Sequence, residues 1–380
     1  MKRIYRLLLL LIVFTGCKEK YVGSIHLPAT GYLVVEGFIN SGNGSTNIRL
    51  TRATSLDSIY INDEVGASVN VESDNGETYS LSEIAPGQYS AGQITLNPAE
   101  KYRLHITTSN GKGYVSDYVE VKITPPIDSV SHAMGGDAAS VFVTTHDDQN
   151  KTLYYQWQYE ETWLYFSAYA SNYIYVNSQL VQRDYEHQIS QCWENDSSTD
   201  IVVASSAKLS QDVISNFLVT TVPYANSGKL NHRYSILVKQ YALTKDWYEW
   251  KVKTKKNTEQ LGTIFDAQPS QTTGNIHSVT DPNEIVIGFI GCTSETEKRS
   301  FIDNGEIPGG GHFDNLHGCL LDSLQTLDSA ALSATFSNGY LIPVSYITAF
   351  GVPVGVTYSG YECVDCRTHG GTNIQPGFWQ

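Results

Sequence analysis

Positive charge is scarce in this 380-residue chain, with 25 Lys and Arg against 39 Asp and Glu. An excess of carboxylates repels phosphate backbones, and no long basic stripe is present, so nucleic acid is excluded as a partner. The same acidity gives no attraction to anionic lipid surfaces. Methionine is rare, with 2 in the whole chain, and apolar residues seldom recur at helical spacing, which argues against a helical body. The longest apolar run, Leu7 to Phe14, has eight residues, whereas a membrane-spanning helix needs about 20. Catalytic signatures are missing as well: there is no GxSxG elbow, HExxH, P-loop or Rossmann glycine fingerprint. No repeat of roughly 20–50 residues is visible, which argues against a propeller or a solenoid.

What is present begins with an address. Lys2, Arg3 and Arg6 precede the apolar run, and the small residues Thr15 and Gly16 lead into Cys17. This is the pattern of a secretion signal over residues 1–16, and a small residue directly before a cysteine resembles a bacterial lipobox, with Cys17 as the acylated first residue of the mature chain. Each buried methylene of an acyl chain contributes about 0.8 kcal/mol, and two or more chains anchor stably. Residues 17–29 then read as a tether. Removal of the leader takes three basic residues and no acidic ones, which moves the net charge from −14 to −17. The anchor is therefore lipid rather than electrostatics, and the membrane is the first expected partner.

Composition favours strands, with 25 Tyr, 6 Trp and 31 Gly. Residues 30–126 run in short alternating stretches such as "YLVVEGFI" and "KYRLHITTSNGKGYVSDYVEVKI", and Asn75-Gly76 and Asn110-Gly111 are strong hairpin turns. The expected fold is all-β: an immunoglobulin- or prealbumin-like β-sandwich over 30–126, ended by "TPPID" at 124–128. A larger sandwich-like domain over 127–380 follows, carrying one helix at 244–261, where Thr244 suits the cap, Asp246 the first turn and Gly262 the stop.

Five cysteines remain after Cys17, an odd number in an oxidising compartment. Cys292 ends an apolar strand and suits a buried thiol. Cys192, Cys319, Cys363 and Cys366 are the disulfide candidates, with three possible pairings. The spacing of His312, His317, Cys319, Cys363, Cys366 and His369 lacks a second CxxC or paired histidines. The terminal CxxC is followed by Arg367, Gly370 and Gly371 rather than a helix, against a redox dithiol. No metal, cofactor or catalytic set is expected. "THDD" at 145–148 and "GGGHFDNLH" at 309–317 gather ionisable groups and read first as polar loops.

Ten of the 22 residues from Tyr154 to Tyr175 are aromatic. Tyr155, Trp157 and Tyr159 share one face of a period-two strand, which is either core or, with Trp163 and Tyr165, a contact surface.

"LGTIFDAQP" at 261–269, "GNIHSVTDPNEIVIGFIGCTS" at 274–294, "KRSFI" at 298–302 and the ending "CVDCRTHGGTNIQPGFW" at 363–379 together resemble domain of unknown function 4249, a family of Bacteroidota lipoproteins. The resemblance implies an outer-membrane lipoprotein, often encoded near TonB-dependent transporters and without an established activity. "CKEK" at 17–20 resembles the signal that sends such lipoproteins to the cell surface. The resulting expectation is a non-enzymatic accessory or binding partner of a TonB-dependent transport system. The alternative is an envelope or polysaccharide hydrolase working through His146, Asp147, His312 and Asp314.

Overall fold

The structure, a computed structural model, describes residues 31–54, 61–225, 227–259, 273–307 and 318–379. About half of the described residues are strand and about a tenth helix. The expected leader, Cys17, the tether up to residue 29, and the loop carrying His312, Asp314 and His317 lie outside the described residues.

The first body differs from an open two-sheet sandwich, because its strands close into an eight-membered ring. Leu33–Asn40 pairs with Thr46–Arg52, and the ring continues through Gln88–Ala91, Thr78–Ala85, Ser68–Ser73 and Lys101–Thr107. Val119–Lys122 pairs with the start of Lys101–Thr107, and the two-residue strand Cys292–Thr293 fills the last gap between Val119–Lys122 and Leu33–Asn40. Leu33, Leu50, Val71, Leu104 and Ile106 line its core, joined there by Ile276, Val286, Ile290 and Cys292.

Residues 127–380 therefore do not form one separate domain, since 276–293 returns to the first body. The physical reason is the edge. Without this return, Leu33–Asn40 and Val119–Lys122 would expose unpaired backbone next to an apolar core; instead the N–H of Ile39 donates to Gly291 O at 2.9 Å and that of Ser41 to Thr293 O at 3.0 Å.

The second body has two antiparallel sheets on one core. Ile127–Met134, Ala138–His146 and Val213–Pro223 form the first; Gln191–Ser197, Tyr154–Phe166, Arg233–Ala242 and Glu295–Asp303 form the second, with Val202–Ser205 at the other end of Tyr154–Phe166. Val141, Val143, Trp157, Tyr234, Ile236 and Val238 meet between them. Period-two burial is clean along Ala138–His146, as a one-sided strand requires.

The helix Lys245–Thr258 starts where Thr244 accepts a hydrogen bond from the Trp247 N–H, with Asp246 in its first turn and Lys255 and Lys256 in its last. Trp247 packs with Phe38 and Phe289 of the first body and Tyr154 and Tyr241 of the second, so this helix locks the two bodies together. A Cβ on Gly291 would lie 2.2 Å from the Trp247 ring. Gly291→Ala is accordingly expected to lose about 1–3 kcal/mol by overpacking, read by denaturant unfolding, whereas the open Gly76→Ala should show only backbone strain.

The chain's remainder forms a third region with its own small cores. The hairpin Leu341–Ala349/Val352–Gly360 pairs with Asp322–Leu324, and the helix Ser329–Phe336, capped by Asp328, covers Val356. The hairpin Tyr173–Val176/Gln179–Gln182 lies alongside.

Candidate functional site

A cleft of about 620 Å³ opens where the first body hands over to the second. Pro98, Lys122 and Ile123 contribute one wall, Pro125 and Pro126 the floor, and His146, Asp148 and Lys151 the other wall. Adjacent prolines read as an extended linker that ends the first body, and here that linker is tied down. Gln240 Nε2 and Thr296 Oγ1 each donate to Pro125 O at 2.9 Å, and Thr145 Oγ1 donates to Pro126 O at 3.0 Å. Gln240 is itself oriented from the core, where its Oε1 accepts from Trp157 Nε1 at 2.9 Å.

The ionisable loop residues are mostly occupied with one another. His146 Nδ1 lies 2.7 Å from Asp128 Oδ2, and its Nε2 lies 3.5 Å from Asp148 Oδ1. The hydrogen bond to Asp128, then its charge, raises the His146 pKa. Asp147 accepts the N–H groups of Gln149, Lys151 and Thr152 at 2.9 Å each. Burial pushes its pKa up, but these three donors outweigh burial and hold it below the ordinary value.

The two shifts bound a pH window. The Asp147 contribution is present above its ordinary value of 3.8 and lost as pH falls through the lowered one; the His146 contribution is present below 6.5 and lost as pH rises through the raised one. Amide protection over 147–152, measured against the intrinsic exchange rate at each pH, should therefore be greatest between those limits, and Asp147→Asn should abolish the acid limb. Equal exchange of both proteins at every pH would refute this account of the loop.

Beneath the loop, Asp212 accepts from Tyr155 Oη at 2.7 Å and from Ser206 Oγ, while the N–H of Asp147 donates to Asp212 O at 3.1 Å. Burial raises the Asp212 pKa, opposed by the two hydroxyl donors. Tyr155 and Trp157 thus reach through the core, one to the loop and one to the linker. That connection had no signal in the sequence beyond the shared face of the strand.

The aromatic contact surface is corrected accordingly. Tyr155 and Trp157 are fully buried, and Tyr159 and Trp163 are 8 % and 7 % exposed. Trp157 stacks between Tyr155 and Phe217, Thr220 Oγ1 donates to Tyr159 Oη at 2.9 Å, and the Trp163 ring is covered by Lys229 Nζ at 4.7 Å. Lys229 is held there by Glu161 at 2.6 Å and Asp196 at 3.0 Å. The Tyr165 hydroxyl donates to Cys366 O and receives the chain's ending. The side of this strand that carries Tyr155, Trp157 and Tyr159 is packed against the other sheet and is closed to a ligand; its exposed positions are Gln158 and Phe166.

Cys192 bonds Cys366 and Cys319 bonds Cys363, with Cα separations of 5.8 and 5.6 Å. The two cysteines of the CxxC therefore hold different parts of the chain. Cys292 is a free, buried thiol in the first body's core, its pKa pushed up to about 12 by burial. Among the described residues, no group of three His, Cys, Asp or Glu is placed to hold a metal ion.

These features define a mostly β, disulfide-crosslinked protein with a cleft between its first two bodies. The chain belongs to the family described as Domain of unknown function (DUF4249), whose model matches residues 22–299. The match ends before Cys319, so the terminal motif at 363–379, which shares in the resemblance seen in the sequence, lies beyond it. No curated protein matches. Among solved structures, a candidate carbohydrate-binding protein from Bacteroides uniformis is similar at 9 % identity and a TM-score of 0.15, covering 56 % of this chain and 90 % of its own. The adhesin InvE of Yersinia pseudotuberculosis is similar at 14 % identity and a TM-score of 0.16, covering 58 % of this chain and 57 % of its own. At those TM-scores neither likeness carries an argument.

Proposed function

We propose that this protein is a non-catalytic, lipid-anchored lipoprotein of the outer membrane that serves as an accessory or binding partner of a TonB-dependent transporter, with the inter-body cleft as its contact site. The observation that carries the reading is the pair of disulfides, which belong to an oxidising compartment, in a chain whose first 17 residues read as an acylation signal. The family resemblance supplies the transporter. A cleft with its floor and one wall held by hydrogen bonds is suited to binding, because a preordered surface loses little entropy on association. Burial also favours a two-layer sandwich reading of the second body.

The hydrolase alternative has weaker support. Asp147 is filled by three amides, which leaves it poorly placed as a general base, and His312 and Asp314 lie outside the described residues.

The test is a pull-down of the native protein from detergent-solubilised outer membranes, with mass spectrometry of Cys17. A diacylglyceryl thioether and a co-isolated transporter, lost on charge reversal of the cleft by Lys122→Glu with Lys151→Glu, are the expected results. An unmodified Cys17, or a monomer without a crosslinked partner in intact envelopes, overturns the reading. Protease shaving of whole cells reports the surface face: cleavage is expected, and complete protection places the protein on the inner side.

A further inference from the structure

Residues 329–361 contain no Asp, Glu, Lys, Arg or His, a stretch of 33 uncharged residues in an otherwise acidic chain. They build the hairpin Leu341–Ala349/Val352–Gly360. The flanking strand Asp322–Leu324 reaches only Val356–Tyr358, and on the other edge the N–H of Asn172 donates to Val344 O. Beyond Tyr346 no described strand pairs with either edge. Residues 347–355 therefore project as a two-stranded ribbon, about 13 Å long at the usual rise per residue.

The ribbon's tip is apolar and strained. Phe350 is fully exposed, Val352 is 61 % and Val354 40 % exposed. The turn places Phe350 at φ 50° and Gly351 at φ 80°. Two positive-φ residues in a two-residue turn favour Asn-Gly, because a bulky side chain is disfavoured in the left-handed region. Nothing in the described chain touches the Phe350 ring to offset that strain. A conformational penalty combined with complete exposure points to a use outside the chain.

We infer that the Phe350 tip, with Val352 and Val354, inserts into the headgroup–acyl boundary of a lipid bilayer. A protein partner would be recognised across a polar, partly charged rim, and this region offers no charge to one. A bilayer makes the opposite demand: charged groups are costly in it, while tyrosine is favoured at its interface. Tyr346, whose ring lies 4.4 Å from that of Tyr173 and is tilted 56° to it, stands behind the tip at the level an interfacial ring would occupy when apolar residues enter by about 5–10 Å. Pro353 has no N–H to give to an added strand, which argues against edge pairing. The inference rests on the membrane location proposed above, but its test does not need the anchor.

The full chain carrying Cys17→Ser, and so no lipid, is labelled at Thr348→Cys with nitrobenzoxadiazole. Thr348 is exposed, Cys292 is buried and the other four cysteines are bonded, so the label is site-specific. Zwitterionic vesicles of phosphatidylcholine and phosphatidylethanolamine should raise the emission several-fold and shift it to the blue. Phe350→Asp, which touches nothing and tolerates the left-handed turn better, should keep the melting temperature and weaken vesicle binding at least tenfold. Ile84→Asp, at a site 66 % exposed on the first body, should leave binding unchanged. No response to vesicles overturns the inference, as does equal binding by Phe350→Asp, or a concentration-dependent blue shift without vesicles, which would mean that a second copy covers the tip. Mass spectrometry of Cys17 decides the anchor separately.

Discussion

Trp157→Ala is expected to lower the unfolding free energy by about 3–5 kcal/mol, the range for deleting a buried aromatic side chain. Against a typical total of about 5–15 kcal/mol for a domain, that is a large share. Its effect should also be directed. Removal of the indole leaves a cavity between Tyr155 and Phe217 and strips Gln240 of the donor that orients it against Pro125 and Thr145. Trp157→Phe separates the two contributions, since it restores most of the volume and leaves Gln240 Oε1 unpaired, at about 1–3 kcal/mol. Amide exchange around Thr124 and the 147–152 loop should accelerate in both variants and not in Ile236→Val, an apolar change in the same core. If all three accelerate the loop equally, the link from Trp157 to the cleft is not what orders it.

Loss of the Cys192–Cys366 bond is the other large effect. It closes 174 residues and the Cys319–Cys363 bond closes 44; in the chain-entropy model each contributes about 4–5 kcal/mol, and measured gains are often smaller. Their consequences should differ in place. Cys366 ties the ending to the edge strand Gln191–Ser197 of the second body, supported by reciprocal amide bonds between Trp193 and Thr372 at 2.8 and 2.9 Å. Trp379 then packs on Phe301 and Trp193, with ring centroids 5.7 and 6.3 Å apart. Cys192→Ser with Cys366→Ser is expected to release this ending, exposing Trp379 and shifting its emission to the red. Cys319→Ser with Cys363→Ser should loosen only the third region. An unshifted Trp379 signal in the first pair would show that packing alone fixes the ending.

The elements that were legible in the sequence are those whose signal is local. Period-two alternation marked Thr46–Arg52 and Lys101–Thr107, and Gly76 and Gly111 sit at positive φ in the turns that Asn-Gly predicts. Thr244 caps its helix as its position suggested. The helix Ser329–Phe336 was missed although Asp328 precedes it, because six of its eight residues are Ser, Ala or Thr and only Leu332 and Phe336 mark a buried face. Pairing over long distances leaves no such trace. Alternation shows which side chains of "EIVIGFIGC" are buried but not that the neighbouring strand begins at Leu33. Likewise "THDD" was visible as a cluster of ionisable groups, whereas its anchor Asp128 and the Asp212 beneath it come from elsewhere in the chain.

The ring's last stave carries a consequence for biogenesis. A polypeptide is made amino end first, so residues 33–122 emerge while Cys292 and Thr293 are still some 170 positions behind. Until that pair arrives, the barrel stays ajar along one seam with its apolar lining wettable, and sequential maturation of one body after another is ruled out. Such a nascent chain depends on shielding until the pair is in place, which makes the interval before closure, rather than the finished fold, the stage at which it is most prone to aggregate.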